Sequence, residues 1–235
     1  MDQLIDIRDL RVESGGRVLL ELPALTLSER RIGVIGRNGS GKSTLARVVT
    51  GLQEPQAGRV TVGGVEVARD RRGALSAVGI LFQNPDHQII FPTVEEELAF
   101  GLRQMGRSKA EAREGARAML ARFGRADWAG RGTGQLSQGQ KHLVCLMAVL
   151  AMAPGAIVLD EPFAGLDLAT VRRLGRVLDG LAAQLLHISH DLEALAGYDR
   201  ILWLEGGRVV QDGAPAAVIA AYRAAMEADD ADADL

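Results

Sequence analysis

One cysteine in 235 residues, Cys145, excludes an intramolecular disulfide and any cysteine-rich metal site. It lies in the apolar run Leu143-Val144-Cys145-Leu146-Met147, which predicts a buried core thiol rather than a reactive one. A surplus of either charge is missing too: 27 basic residues against 30 acidic ones leave a net charge of −3. Such a balance lacks the basic footprint of a nucleic-acid binder. No apolar stretch reaches membrane length, since the longest, Leu143 to Ala153, ends at Pro154. The opening Met1-Asp2-Gln3-Leu4 lacks a signal peptide's basic and apolar segments. These absences predict a soluble intracellular protein that is free to dock on a membrane protein. What the chain does have is 47% hydrophobic residues, enough over this length for one substantial core.

Chemistry concentrates in Gly36-Arg37-Asn38-Gly39-Ser40-Gly41-Lys42-Ser43-Thr44, which fits the pattern G-x-x-x-x-G-K-[ST]. The apolar Ile32-Gly33-Val34-Ile35 before it reads as a buried strand, and Ser43 to Val49 after it as a helix. A strand feeding a glycine-rich turn into a helix N-terminus aims several backbone N–H groups, and the positive end of the helix dipole, at one anion. Lys42 would then reach the terminal phosphates of a nucleotide, and the Ser43 hydroxyl would be a ligand to phosphate-bound Mg²⁺. A glycine-rich turn that binds nothing would need neither flank.

Around this loop the chain reads as alternating elements. Alternation from Leu4 to Val12 marks a half-buried strand, and Val18 to Leu20 and Leu25 to Leu27 read as two further short strands, an antiparallel layer. Gly58 to Val67 reads as a hairpin turning at Gly63-Gly64. Val78 to Phe82 is a buried strand with Gln83 at its end, in isolation a polar loop residue. From Thr93 to Gly124 the pattern is helical. Ser108-Lys109-Ala110-Glu111 forms a capping box, and Ala112, Ala116, Met119, Leu120 and Phe123 fall on one face. Ser137 is a good N-cap for the apolar helix that follows, and the same geometry offers N–H groups to a phosphate; both readings stand together.

Ala156-Ile157-Val158-Leu159-Asp160-Glu161 is a continuous apolar run, hence a strand buried on both faces, ending in two carboxylates. Ligands of a parallel sheet collect at the carboxyl ends of its strands, so Asp160 is placed to hold Mg²⁺ and Glu161 to polarise an attacking water. A second short strand, Leu185 onward, ends at His190, placed to contact a γ-phosphate. Ile201 to Leu204 and Arg208 to Val210 read as a closing hairpin, and the acidic segment 227–235 as a disordered tail.

Six motifs in this order resemble the ATP-binding-cassette ATPases over nearly the whole chain: Gly36–Thr44, Gln83, Leu136–Gln140, Ile157–Glu161, Ala164–Asp167 and His190. The resemblance implies an α/β fold of the P-loop NTPase class. It would have a mainly parallel RecA-like sheet, an N-terminal antiparallel β layer and a helical subdomain at about 84–150, in one domain over 1–235. Phe82 to Phe91 with Thr93 to Gly101 look most like the energy-coupling-factor branch, which powers vitamin and metal-ion uptake. Within that branch the Phe163–Asp167 context looks most like the ATPase of biotin transporters. A cobalt, nickel or other vitamin importer is the alternative, then an ATPase of this family outside transport.

Carried over residue by residue, the resemblance implies that Gly36, Asn38, Gly39, Ser40, Gly41, Lys42, Ser43 and Thr44 hold the phosphates of ATP. Ser43, Gln83 and Asp160 would serve Mg²⁺, with Glu161 as catalytic base and His190 on the γ-phosphate. Ser137, Gly139 and Gln140 would complete the ATP site of a second ATPase subunit in a head-to-tail dimer, a homodimer by preference, with Asp167 at the seam. A short helix at Asp86–Phe91 would help receive a transmembrane coupling subunit, and a separate membrane protein would bind substrate, placing the chain on the cytoplasmic face of the membrane. Two positions depart from the family. Val12-Glu13-Ser14-Gly15 holds no aromatic to stack on adenine, and Gln138 replaces a signature glycine, so either its side chain points away from the nucleotide or the contact with the second subunit's ATP is weakened.

Overall fold

The structure, a computed structural model, describes residues 4–163 and 165–233. Met1 to Gln3, Ala164 of the Ala164–Asp167 motif, and the last two residues of the acidic segment lie outside the described residues.

The apolar phase of the opening segment changes partway along, and the backbone follows it. In β1 (Ile5–Ser14) the buried apolar residues are Ile5 and Ile7, then Leu10 and Val12, so alternation breaks at Asp9. Asp9 adopts φ 48°, and the register against β4 (Ala57–Val62) slips between Arg8 and Arg11. A bulge of this kind returns the next apolar side chains to the core face. By register Pro23 stands opposite Asp9 in β2 (Arg17–Leu27), where the phase shifts too, from Leu20 and Leu22 to Leu25 and Leu27. The two short strands expected at 18–20 and 25–27 are therefore one. β2 is the edge of its sheet, ordered β2-β1-β4-β5 with β5 at Val65–Glu66, and an edge tolerates proline.

The second sheet has six strands and forms the platform for the site. Its members are β3 (Arg31–Ile35), β6 (Val78–Leu81), β7 (Ala156–Asp160), β8 (Gln184–Ile188), β9 (Arg200–Glu205) and β10 (Arg208–Gly213), ordered β10-β9-β3-β8-β7-β6. All pairings are parallel except β10 with β9. The fold is thus α/β with a mainly parallel sheet and a separate antiparallel layer. Between the two, α1 (Lys42–Val49) buries Leu45, Ala46, Val48 and Val49 in one core with Ile7, Leu27, Val34 and Val158. Helix α2 (Arg71–Ala77), capped by Asp70, was not anticipated; its seven residues bury only Ala74.

Between β6 and β7 lie α3 (Val94–Gln104), α4 (Lys109–Arg122) and α5 (Gln138–Ala151), which share a second core with Ile157, Leu159 and Leu185. The capping box at Ser108 and Glu111 forms as the spacing predicts. The short helix expected over Asp86–Phe91 shrinks to one 3-10 turn, Pro85–His87. Its continuation is blocked because Glu97 Oε2 accepts the amides of Ile90 and Phe91, both at 2.9 Å, in place of helical carbonyls. Glu95, its side chain only 10% exposed, ties α3 to α4 by accepting from Arg113 at 2.6 Å and Arg117 at 2.5 Å. Chiefly the Arg117 bond holds the Glu95 carboxyl below its ordinary range. A depressed carboxylate contributes stability at neutral pH that is lost as pH falls through the acidic range. Urea unfolding of Glu95→Gln should show a loss of about 1 kcal/mol at neutral pH and no difference from wild type once the wild-type carboxyl is protonated.

Helix α6 (Leu168–Asp179) precedes β8, α7 (Leu192–Leu195) follows it, and α8 (Pro215–Ala233) ends the described chain. The acidic segment expected to be disordered from 227 instead continues α8 as far as Ala233. Val218 and Ile219 are buried, Tyr222 packs edge-on to Trp203 at 5.4 Å, and alanine-rich sequence extends an anchored helix at little cost.

Candidate functional site

The phosphate loop is held open by two close backbone approaches. At Gly36, φ 146°, a Cβ would stand 2.1 Å from the Leu204 carbonyl oxygen. At Gly41, φ 106°, it would stand 2.8 Å from the Leu19 carbonyl. The amide of Gly207, in the β9–β10 turn, donates to the Ser40 carbonyl at 3.0 Å and braces the loop from outside. Lys42 Nζ donates to the carbonyls of Gly36 at 2.7 Å and Arg37 at 2.8 Å, which centres the ammonium in the loop. Burial lowers the Lys42 pKa, while Glu161 and Asp160 pull it back. A cation whose water has been replaced by a few carbonyls at the start of a helix suits an incoming polyanion.

Three neighbouring strands deliver the other groups. Asp160 ends β7, and burial raises its pKa against a hydrogen bond from Ser43. Glu161, next in the chain, has φ 50°, rare for a residue with a Cβ, and its amide donates to the Ile188 carbonyl at 3.0 Å. Strain of this kind survives where the surroundings fix the conformation, and it clusters at sites that use it. Burial raises the Glu161 pKa as well. His190, beyond the end of β8, places Nε2 3.2 Å from Glu161 Oε1 but outside hydrogen-bonding geometry, so that buried oxygen has no hydrogen-bond partner among the described residues. Gln83 follows β6 on the same edge.

These groups line one cavity of about 470 Å³: Asn38, Gly39, Gly41, Lys42, Ser43, Thr44, Gln83, Asp160, Glu161 and His190. Gly36 and Ser40 are not among the lining residues; Ser40 is buried, and its hydroxyl has no hydrogen-bond partner among the described residues. Leu19 and Ile188 also line it. Neither carried a sequence signal, because an apolar residue in a strand announces burial and nothing more. A larger cavity of about 730 Å³ lies at the α3–α4 side, lined by Phe91, Phe100, Glu96, Arg103 and Arg113 among others, and contains no part of the phosphate loop.

Ser137, Gly139 and Gln140 are not among the residues lining the phosphate cavity. Ser137 caps α5 in a reciprocal box with Gln140, whose Oε1 accepts the Ser137 amide at 3.0 Å. Gln138 Nε2 donates to Asp86 Oδ2 at 3.1 Å, so the side chain at the departing signature position is directed into its own subunit. Asp167 caps α6 by accepting from Thr170 N at 2.9 Å. Among the described residues no helix is long and apolar enough to cross a membrane.

The family model described as ABC transporter matches residues 24–164, and an AAA-domain model matches the shorter span 133–196. The biotin transport ATP-binding protein BioM of Rhodobacter capsulatus is 54% identical over 96% of this chain and 97% of its own length. BioM of Rhizobium etli is 43% identical over 93% and 97%. Among solved structures, cbiO1 of Clostridium perfringens, part of the ABC transporter complex cbiONQ, superposes with TM-score 0.77 at 28% identity, covering 94% of this chain and 92% of that one. The phosphate loop, the paired carboxylates and His190 meet in one cavity on a fold that these relatives share end to end, and the chain belongs to the ATP-binding-cassette transporter family as one of its ATPases.

Proposed function

We propose that this chain is the ATP-hydrolysing subunit of an energy-coupling-factor importer, working on the cytoplasmic face of the membrane to energise uptake of biotin. The observation that carries the catalytic part is the single cavity joining Lys42, Asp160, Glu161 and His190. The substrate rests on the 54% identity to a biotin transport ATP-binding protein.

In this reading the loop amides and Lys42 take the β- and γ-phosphates. Ser43, Gln83 and Asp160 all line the cavity and each can offer an oxygen ligand, the kind a hard divalent cation requires, so these three would hold Mg²⁺. The ion, when bound, neutralises charge on the phosphates. Glu161 Oε1, which has no hydrogen-bond partner among the described residues, accepts the proton of the attacking water, helped by a carboxyl whose pKa burial has raised. His190, beside it, contacts the γ-phosphate. Ser137, Gly139 and Gln140 serve the ATP of a second copy, so ATP closes the dimer and hydrolysis releases it. The helices of the segment at about 84–150 act as the unit that receives the coupling subunit, near Asp86–Phe91.

Co-expression with its membrane partners and reconstitution in liposomes tests the assignment. Labelled biotin accumulating only with ATP inside the assembly's ATPase compartment is the expected result. Uptake of cobalt or nickel in place of biotin would move the substrate to the metal-ion branch, as in the cobalt import ATP-binding protein CbiO of Syntrophus aciditrophicus, 34% identical over 92% of this chain. An ATPase that never copurifies with a membrane protein would remove it from transport.

A further inference from the structure

One face of α5 is polar where its neighbours are core. Gln138, Lys141, His142 and Cys145 fall at helical spacings of three and four, so they share a stripe. Each meets the loop that follows Gln83. His142 is 2% exposed, among Leu143, Val144, Leu146 and Met147, all buried. Its Nε2 lies 3.1 Å from the Gln83 carbonyl oxygen, and its Nδ1 3.1 Å from the Gln138 carbonyl. Lys141 Nζ donates to Asp86 Oδ1 at 2.6 Å, and Gln138 Nε2 donates to the other oxygen of that carboxylate at 3.1 Å. The Cys145 thiol faces the Pro85 carbonyl at 4.0 Å.

A buried imidazole is costlier than an apolar side chain unless it is hydrogen-bonded. The Gln138 carbonyl already lies within reach of α5's own i+4 amide. The Gln83 carbonyl, in a loop, gains a donor in the tautomer that carries the ring proton on Nε2. We propose that His142 and Asp86 are positioning residues that lock the Gln83 loop to the N-terminus of α5, so that the two move as one body. The inference rests on the reading above, in which Gln83 faces this subunit's own ATP and Ser137–Gln140 face the ATP of the second copy. A displacement at one nucleotide is then delivered to the contact with the other. Gln138, which breaks the signature's glycine pattern, is part of the lock: its amide secures Asp86.

The test compares full-length wild type, His142→Leu, His142→Gln and Asp86→Ala in steady-state ATPase assays at several protein concentrations, with ATP binding and thermal melting measured beside them. His142→Leu keeps an apolar filler but cannot reach the Gln83 carbonyl; its kcat should fall about tenfold, as expected when a positioning contact is lost. KM for ATP and the melting temperature should change little, because phosphate-loop contacts and core packing remain. His142→Gln retains an N–H donor and should recover most of the lost kcat. Asp86→Ala, at an exposed carboxylate, should shift the concentration at which specific activity rises upward several-fold. Equal kcat for wild type and His142→Leu, or a His142→Gln variant no better than His142→Leu, overturns the lock. So does a loss of kcat accompanied by an equal loss of fold in both His142 variants while Asp86→Ala behaves as wild type. If wild-type specific activity is independent of concentration, the two-copy reading fails instead, and that result is separate from the ranking of the variants.

Discussion

Glu161→Gln lowers ATP turnover by about 10³-fold while ATP binding persists, the loss expected when a positioned general base is removed. The glutamine keeps the shape of the side chain and its unusual backbone, φ 50°, which the Glu161 amide bond to Ile188 helps to fix. It cannot take a proton from water. ATP then stays intact, and size-exclusion chromatography in ATP should show an accumulated dimer where wild type cycles back to monomer. A variant that hydrolyses at the wild-type rate removes Glu161 from the role of base. An inactive variant that stays monomeric in ATP means either that closure needs a membrane partner or that the Gln138 signature is too weak to close the dimer.

The same substitution has a second readout, in stability. Burial raises the pKa of Glu161 and of Asp160 in the folded chain. The native state therefore binds these protons more tightly than the unfolded state does, and stability falls as pH rises from the ordinary carboxylate value through the raised one. Glu161→Gln removes one of these buried charges. Nucleotide-free variant should melt higher than wild type at neutral pH, by about 1 kcal/mol, with a flatter dependence on pH. Gain of stability with loss of turnover is the pattern of a site held against its own folding preference.

Gly36→Ala is the second large effect, on stability. Its Cβ would fall 2.1 Å from the Leu204 carbonyl oxygen and 2.7 Å from Ser40 Oγ, at φ 146°. Leu204 belongs to β9, which pairs with β3, so relief requires the loop to leave its position or the sheet to part. Overpacking against backbone added to a strained dihedral costs about 3 kcal/mol. Gly39→Ala is the control: φ is 79°, but nothing lies within 4 Å of the new Cβ, so strain acts alone, at about 1 kcal/mol. Denaturant melts should separate the two, with the larger loss of stability in Gly36→Ala. Equal behaviour of both variants would mean that the β9 contact does not shape the loop.

Sequence alone determined the groups whose chemistry depends on short-range spacing. The strand, glycine turn and helix around Lys42 are contiguous, so their joint geometry follows from local backbone preferences. The β7 run to Asp160 and Glu161 is legible for the same reason: a continuous apolar strand can only end where the sheet does. The capping box at Ser108 is a reciprocal bond over three residues and formed as read, and Ser137 caps its helix as read, with Gln140 closing a second box. Where local signals failed, a distant partner had decided. Residues 18–20 and 25–27 read as two short strands, but edge placement and the bulge at Asp9 made one. The short helix that the family resemblance implied at Asp86–Phe91 shrinks to one turn, because Glu97 takes the amides of Ile90 and Phe91. The acidic residues after 227 looked unstructured, yet α8 was already anchored through Ile219 and Tyr222. The role of His142 had no local signal, because the carbonyl it meets is 59 residues away in sequence. Spacing encodes what neighbours do to one another; only the folded chain sets which remote carbonyl, carboxylate or strand competes for the same atom.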